Sequence, residues 1–424
     1  MRPSGRYDVI VVGARCAGAS TAMLLARQGL RVLLVDRARF PSDTLSSHYL
    51  QQAGARILHR WGLYGRLAAT GCPPVREMNL DFGTFALNGF SPGGQLGALA
   101  DFCPRRRVLD SLLVEAAVEA GVELRTGFAV RELVSDAHGV SGIVGQGERG
   151  IVCREPASLV VGADGMRSLV ARAVQAPVYD AYPPLTCNYF SYFAGVPIHR
   201  AELFSRPGLF VIASPTHEGL TQVIVIRPRG EFRPLRTLTD AQFLAFLEGL
   251  PRLSELVRGG RRVERFYGTA DLPFYFRKPY GPGWALAGDA GHFKDPITAQ
   301  GMTNAFQQAI LLAEAALSIF NGHQSFDEAM REYEFTRNAE TRSMYDFTRE
   351  LAKLHSPPPD VERILRATSE RPGTADQFFG ILGGSVSKEE FFASASANTE
   401  GVLHRASRGQ RLPCPGGPRP ARHF

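Results

Sequence analysis

Apolar positions near the start of the chain come in unbroken runs rather than in alternation. Asp8-Val-Ile-Val-Val is β-branched and ends at Gly13, and Gly18 then opens an alanine-rich helical pattern. A second run, Arg31-Val-Leu-Leu-Val35, ends at Asp36. Runs of this kind suit strands covered on both faces. Residues 6–37 are therefore predicted as a strand–turn–helix–strand unit with an acid at the tip of its second strand.

A polar loop, Ser42 to His48, precedes a helical pattern around 49–70. Residues 76–103, rich in Gly and Phe, predict short strands and turns. Arg106 opens a periodic helix with Leu109, Leu112, Leu113, Ala116 and Ala117 on one face, ended by Gly121. Strands follow at Val122–Leu124, at Val130–Val134 and on to Val152. Leu159-Val-Val-Gly-Ala-Asp-Gly165 returns to the buried-strand pattern. From 185 to 275 the pattern is mostly strand with much aromatic weight, interrupted by a helix around 239–258. Trp284-Ala-Leu-Ala287 is another buried strand, running into Gly288-Asp289. Helical patterns run from Gly301 to about Leu354, Pro357-Pro-Pro359 breaks them, and shorter helices follow.

Composition changes this picture little. The 424 residues are 44% apolar and 21% charged, ordinary for a globular protein and long enough for two or three domains. The net charge of +7 is concentrated at the end: 401–424 hold five arginines and no acid, leaving +2 for the rest. That tail has the Pro, Gly and Arg content of a disordered segment, and the balance gives no support to nucleic-acid binding. The six cysteines are scattered, without C-x-x-C spacing, as in a reducing compartment. No signal peptide and no transmembrane stretch is apparent, so the expected location is cytoplasmic. His48, His199 and His292 lack ligand spacing, and no metal is expected.

The chemistry begins at the first turn. Gly13, Ala14, Ala17 and Gly18 would cradle a pyrophosphate at the helix N-terminus, and Asp36, followed by Arg37, would take a ribose hydroxyl. Arg15 stands where G-x-G-x-x-G has its middle glycine, so the motif alone is weak. Two later segments have the same form, a short strand ending in a glycine–acid turn: Gly162-Ala-Asp164-Gly165 and Gly288-Asp289. In their order and spacing the three segments resemble the single-component FAD monooxygenases of para-hydroxybenzoate hydroxylase type, where these merge with geranylgeranyl-reductase-like oxidoreductases. The resemblance covers roughly residues 1–320.

The resemblance implies the following. Gly13 and Gly18 are the outer glycines of the phosphate turn, and Arg15 either points away or lies along a phosphate. Asp36 takes the adenosine ribose. Arg106 opens an R-x-x-L-D helix and reaches the cofactor, with Arg105 and Arg107 as adjacent alternatives. Asp164 lies near the pyrophosphate. Asp289 hydrogen-bonds the ribityl chain, and the loop from Pro296 to Gly301 wraps the isoalloxazine edge. Reduced flavin is negative at N1/O2, and the N–H groups of Gly301 and Met302 would face that charge. NADH or NADPH would reduce FAD, O2 would give a C4a-hydroperoxide, and its distal oxygen would pass to the substrate. Tyr192, Phe210, Phe274 and Pro296 are the candidate pocket.

The implied fold is α/β: a Rossmann-type FAD-binding domain (1–75, 101–180, 276–325), an inserted antiparallel β-sheet substrate domain (76–100, 181–275), C-terminal helices (326–400) and a disordered basic tail (401–424). The implied reaction is hydroxylation or epoxidation of a hydrophobic, aromatic or polyketide-like small molecule by a monomer or homodimer. One rival is an FAD-dependent reductase saturating an alkene. Another is a flavin-dependent halogenase: Phe293-Lys-Asp-Pro296 resembles F-x-D-P, but Trp61 and Trp284 are the only tryptophans, so W-x-W-x-I-P is absent. A third is a non-catalytic FAD-binding protein.

Overall fold

The computed structural model describes residues 6–90, 99–147, 150–233, 237–371 and 373–394. The predicted basic tail lies outside these residues.

Two strand systems and a group of helices make up the fold. The first sheet runs Tyr280–Gly281, Trp284–Leu286, Val152–Gly162, Tyr7–Val12, Val32–Asp36, Glu123–Thr126. Its central pairings are parallel, with Val12 beside both Gly162 and Val35, and Gly162 beside Leu286. The strands are buried almost throughout, which is why their sequences are continuous rather than alternating. The Cys16–Ala26, Arg106–Glu119 and Gly301–Phe320 helices share one apolar core with one face of this sheet. The chain leaves the Tyr7–Val12 strand toward Val32–Asp36 on one side. Its other neighbour, Val152–Gly162, arrives from far along the sequence. A crevice opens outside the carboxyl ends of such strands.

The second sheet is mainly antiparallel: Arg261–Arg262, Thr186–Ala194, Thr221–Pro228, Leu209–Pro215, Ala201–Arg206, Glu77–Asp81, Ala86–Phe90. Here period-2 alternation sorts the side chains. Phe190, Tyr192, Phe210, Ile212, Ile224 and Ile226 enter one core, shared with Ile297 and Ala299. Tyr189, Phe193, Val211, Val223 and Val225 enter the opposite one, under two short helices. Those helices, Asp240–Ala245 and Pro251–Gly259, replace the single helix expected around 239–258. The first ends at its C-cap, Phe246, and Pro251, suited to a first-turn position where its missing N–H costs nothing, starts the second.

A small sheet of Val178–Tyr182, Phe274–Arg277 and His292–Phe293 joins the two systems. Beside it stands the Phe326–Leu351 helix, whose Arg337 is fully buried. Arg337 donates to the carbonyls of Gly291 (3.3 Å) and Arg277 (3.1 Å) and to the Tyr179 hydroxyl (2.8 Å). Tyr333, one turn earlier, donates to Leu286 O at 2.8 Å. This helix therefore fixes the loop that follows the Trp284–Leu286 strand. No helix among the described residues is long and apolar enough to cross a membrane.

Replacing Arg337 with methionine leaves two buried carbonyls without these donors. We expect a loss of about 2–4 kcal/mol of stability, read as a lower denaturant midpoint. An unchanged midpoint would show that the loop is held some other way.

Candidate functional site

The parallel register sets four strand ends in one row. Gly13 N donates to Val35 O (2.8 Å), Ala163 N to Val12 O (2.8 Å) and Ala287 N to Gly162 O (3.0 Å). Gly13, Asp36, Asp164 and Asp289 all follow directly from this row. Contact across it is close. A Cβ on Gly18 would fall 1.7 Å from Gly13 O, so only glycine lets the helix sit on the turn. Gly288, at φ +62°, would place a Cβ 2.8 Å from that of Ala17.

Two helices that pack near this row begin without a side-chain cap. Neither Arg15, before Cys16–Ala26, nor Gln300, before Gly301–Phe320, caps its helix. Of the other helices some are capped, with full capping boxes at Thr239/Gln242 and Ser325/Glu328, and others, such as Gln52–Arg60 and Arg106–Glu119, are not. A Cβ on Gly301 would meet nothing within 4 Å, and Met302 behind it is buried. Uncapped N–H groups with open space before them suit an anionic ligand.

Each acid has a definite place. Asp36 accepts from Ala14 N (2.8 Å, Oδ2) and Ala38 N (2.7 Å, Oδ1), and both oxygens keep a lone pair for a ribose hydroxyl. Arg37, next to it, is exposed. Asp164 Oδ2 accepts from Leu169 N (2.6 Å) and Val170 N (3.3 Å), while its buried Oδ1 has no protein partner. Burial raises its pKa. Burial likewise pushes Asp289 up to about 6, with Arg106 and Lys294 opposing. The Asp289 carbonyl accepts from the Tyr275 hydroxyl at 2.6 Å, and Arg277 donates to Ala290 O at 2.8 Å.

Three consecutive arginines diverge. Arg106 donates from Nε to Asp110 Oδ1 at 2.9 Å. Arg105 pairs with Asp43 (2.7 Å) and Glu264 (2.7 Å) and lies 3.9 Å from the Tyr192 ring centroid. Arg107 pairs with Glu218 at the surface. Arg106 is thus the member that turns toward Asp289. The Arg15 side chain turns to Asp110 and the Ser42 loop. Its Nη1 bonds Asp110 Oδ2 at 2.5 Å, and its Nη2 bonds Ser42 Oγ at 3.1 Å. One fully buried carboxylate, Asp110, therefore holds two guanidiniums beside the phosphate turn. The sequence reading placed Asp110 only as the acid that closes R-x-x-L-D.

The structure brings Tyr192, Phe210 and Phe274 into one buried apolar cluster with Ile297 and Ala299, which follow the half-buried Pro296. His48, read only as a non-ligand, lies against this cluster. It is fully buried, at φ +56°, with Nε2 2.5 Å from the Tyr192 hydroxyl. Burial lowers its pKa to about 3, so it is neutral. Nothing in the local sequence marks it beyond the polar loop that ends there.

A family model described as an FAD binding domain matches residues 6–237, more than half of the chain. The protein belongs to this FAD-binding family. Digeranylgeranylglycerophospholipid reductase 1 of Methanopyrus kandleri is 27% identical over 86% of this chain and 94% of its own length. The 6-methylpretetramide 4-monooxygenase of Streptomyces rimosus is 28% identical over 72% of this chain and 73% of its own. Among solved structures, the flavin-dependent brominase Bmp2 superposes with a TM-score of 0.77, covering 96% of this chain and 100% of that one at 21% identity, which shows a common fold. The protein is thus an FAD-dependent oxidoreductase by family.

FAD fits the residues present: close glycine contacts at Gly13, Gly18 and Gly288, uncapped N-termini after Arg15 and Gln300, and a buried Asp164 oxygen without a protein partner. Two substitutions separate structural from binding charges. Asp110→Asn removes the counter-ion of two arginines, and we expect about 3–5 kcal/mol of lost stability in a denaturant titration. A neutral result would mean the arginines are satisfied elsewhere. Asp289→Asn should act in the opposite direction on the flavin-free protein. With a folded pKa near 6 against an ordinary 3.8, the native state binds more protons between these values, so charged Asp289 costs stability above pH 6. The variant should gain about 1–3 kcal/mol at pH 7, shrinking to nothing as pH falls through 6 toward 4, while FAD affinity drops about tenfold. A pH-independent difference would contradict the burial of this carboxyl.

Proposed function

We propose that the protein is an FAD-dependent monooxygenase that uses NADH or NADPH and O2 to hydroxylate or epoxidise a hydrophobic aromatic or polyketide-like molecule. The observation that carries this reading is the His48–Tyr192 pair against the aromatic cluster beside the Pro296–Gly301 loop. An aromatic-rich surrounding suits an aromatic substrate, and polar groups beside it, the His48–Tyr192 pair among them, suit one bearing a hydroxyl or carbonyl. An isolated aliphatic alkene offers such a pair nothing to bind.

When bound, FAD supplies the two-electron chemistry. The chain's residues do the rest. Gly13, Ala14, Ala17 and Gly18 hold the pyrophosphate, and Asp36 with Arg37 the adenosine end. Arg106, placed by Asp110, adds positive charge, and Asp164 lies beside the pyrophosphate. Asp289 accepts from a ribityl hydroxyl. Pro296 shapes the loop, and Gly301 and Met302 donate N–H groups to the ring. Arg15 is a positioning residue that ties the turn to the Ser42 loop. Residues 1–75, 101–180 and 276–325 form the cofactor part, and 76–100 with 181–275 roof the substrate. The reading includes transient binding of the nicotinamide and action in the cytoplasm.

A reductase reading is favoured by the Methanopyrus kandleri relative, which this chain matches over nearly that relative's full length. The two separate on one experiment. FAD-loaded protein is supplied with NADH or NADPH and ¹⁸O₂ over a panel of aromatic and polyprenyl compounds. We expect one labelled oxygen in an aromatic product and substrate-stimulated oxidation of the nicotinamide. Unlabelled product with added hydrogen would replace the monooxygenase with the reductase.

A further inference from the structure

One side chain of the Gly288–Gly301 loop has no part in the roles above. Lys294 is 8% exposed, and its Nζ donates to Oδ1 of Asn304, a neutral amide on the first turn of the Gly301–Phe320 helix. The chain has four lysines. The other three have side chains 29–44% exposed and pair with glutamates. Lys294 makes no ion pair within 4.0 Å among the described residues. Asp289 attracts it from farther away, and burial pushes its pKa down to about 7.

This placement is unfavourable by two separate rules. A buried cation without a contacting anion is costly. A cation at a helix N-terminus meets the positive end of the helix dipole. That N-terminus is also uncapped, and beside Asn304 the Thr303 hydroxyl is 2% exposed without a partner. Every one of these defects is relieved by an anion arriving from outside the chain.

We propose that Lys294 is the cation that neutralises the negative charge FAD gains on reduction, acting with the N-terminus of the Gly301–Phe320 helix to raise the flavin's reduction potential. This rests on the assignment of the loop to the flavin ring made under the proposed function. A hydride from NADH or NADPH carries two electrons and one proton, so the ring gains one net negative charge, and Lys294 holds its own proton opposite. Lys294 is a positioning charge and takes no proton from substrate.

The test compares wild type, Lys294→Met and Lys294→Arg, each loaded with FAD, by dye-equilibrated potentiometry. The Met variant should lower the equilibrium constant for two-electron reduction by about tenfold, or ~30 mV for such a couple. The Arg variant, which keeps the charge, should stay within about twofold of wild type. Affinities for oxidised and reduced FAD provide a second measurement should the Met variant hold flavin poorly: its loss must be larger for the reduced form. Equal losses, or a Met variant with the wild-type potential, would overturn the role of Lys294 alone. A folded wild-type protein that binds no FAD would instead overturn the proposed function.

Discussion

Parallel pairing of three strands distant in sequence is the constraint on which the rest depends. Tyr7–Val12, Val152–Gly162 and Trp284–Leu286 lie side by side in register, so their carboxyl ends form a single edge. Each motif residue is displaced from that edge by only one to three positions. No loop has to bring Gly13, Asp164 and Asp289 together; the hydrogen-bond ladder does so. The same register leaves the crevice at the point where the chain's connections part to either side. Glycines at the closest approaches then let helix and turn touch, as at Gly18 against Gly13 O.

Charge at this edge is arranged at a cost to the empty protein. Asp289 is pushed toward neutrality by burial, Lys294 is buried against a neutral amide, and two helix ends lack caps. Two helices away from the edge carry capping boxes, and beside the phosphate turn Arg15 and Arg106 share the carboxylate of Asp110. Several imperfectly satisfied groups thus gather near this edge, while Arg15 and Arg106, which flank the turn, are paired. Sites that bind and stabilise charge are where such frustration is retained.

Much of the framework was legible because strong local signals agree with it. The βαβ unit at 6–37, the helix opened by Arg106 and the buried strand before Gly288 appear where their patterns place them. The candidate phosphate turn could be located because glycine and acid positions are few and their backbone needs are specific. What the pattern hid depends on tertiary geometry. Arg15 reads as an obstacle in one dimension, and only its approach to Asp110, 95 residues on, shows its place. Arg337 and Tyr333 sit in a polar-looking helix, yet their side chains hold the loop after the third strand of the edge. His48 is one residue of a polar loop until Tyr192 stands beside it. The helix expected around 239–258 failed for a local reason, since Pro251 restarts it.

The central claim is that one edge of the parallel sheet is a single FAD site. It is tested most directly by titrating the purified, flavin-free, folded protein with FAD while following flavin fluorescence and visible absorbance, with ADP as competitor. The account predicts saturable binding of one FAD per chain, weakened by ADP because the adenosine half occupies the Gly13–Gly18 turn and Asp36. A folded protein with no saturable FAD binding, or FAD binding indifferent to ADP, would contradict it.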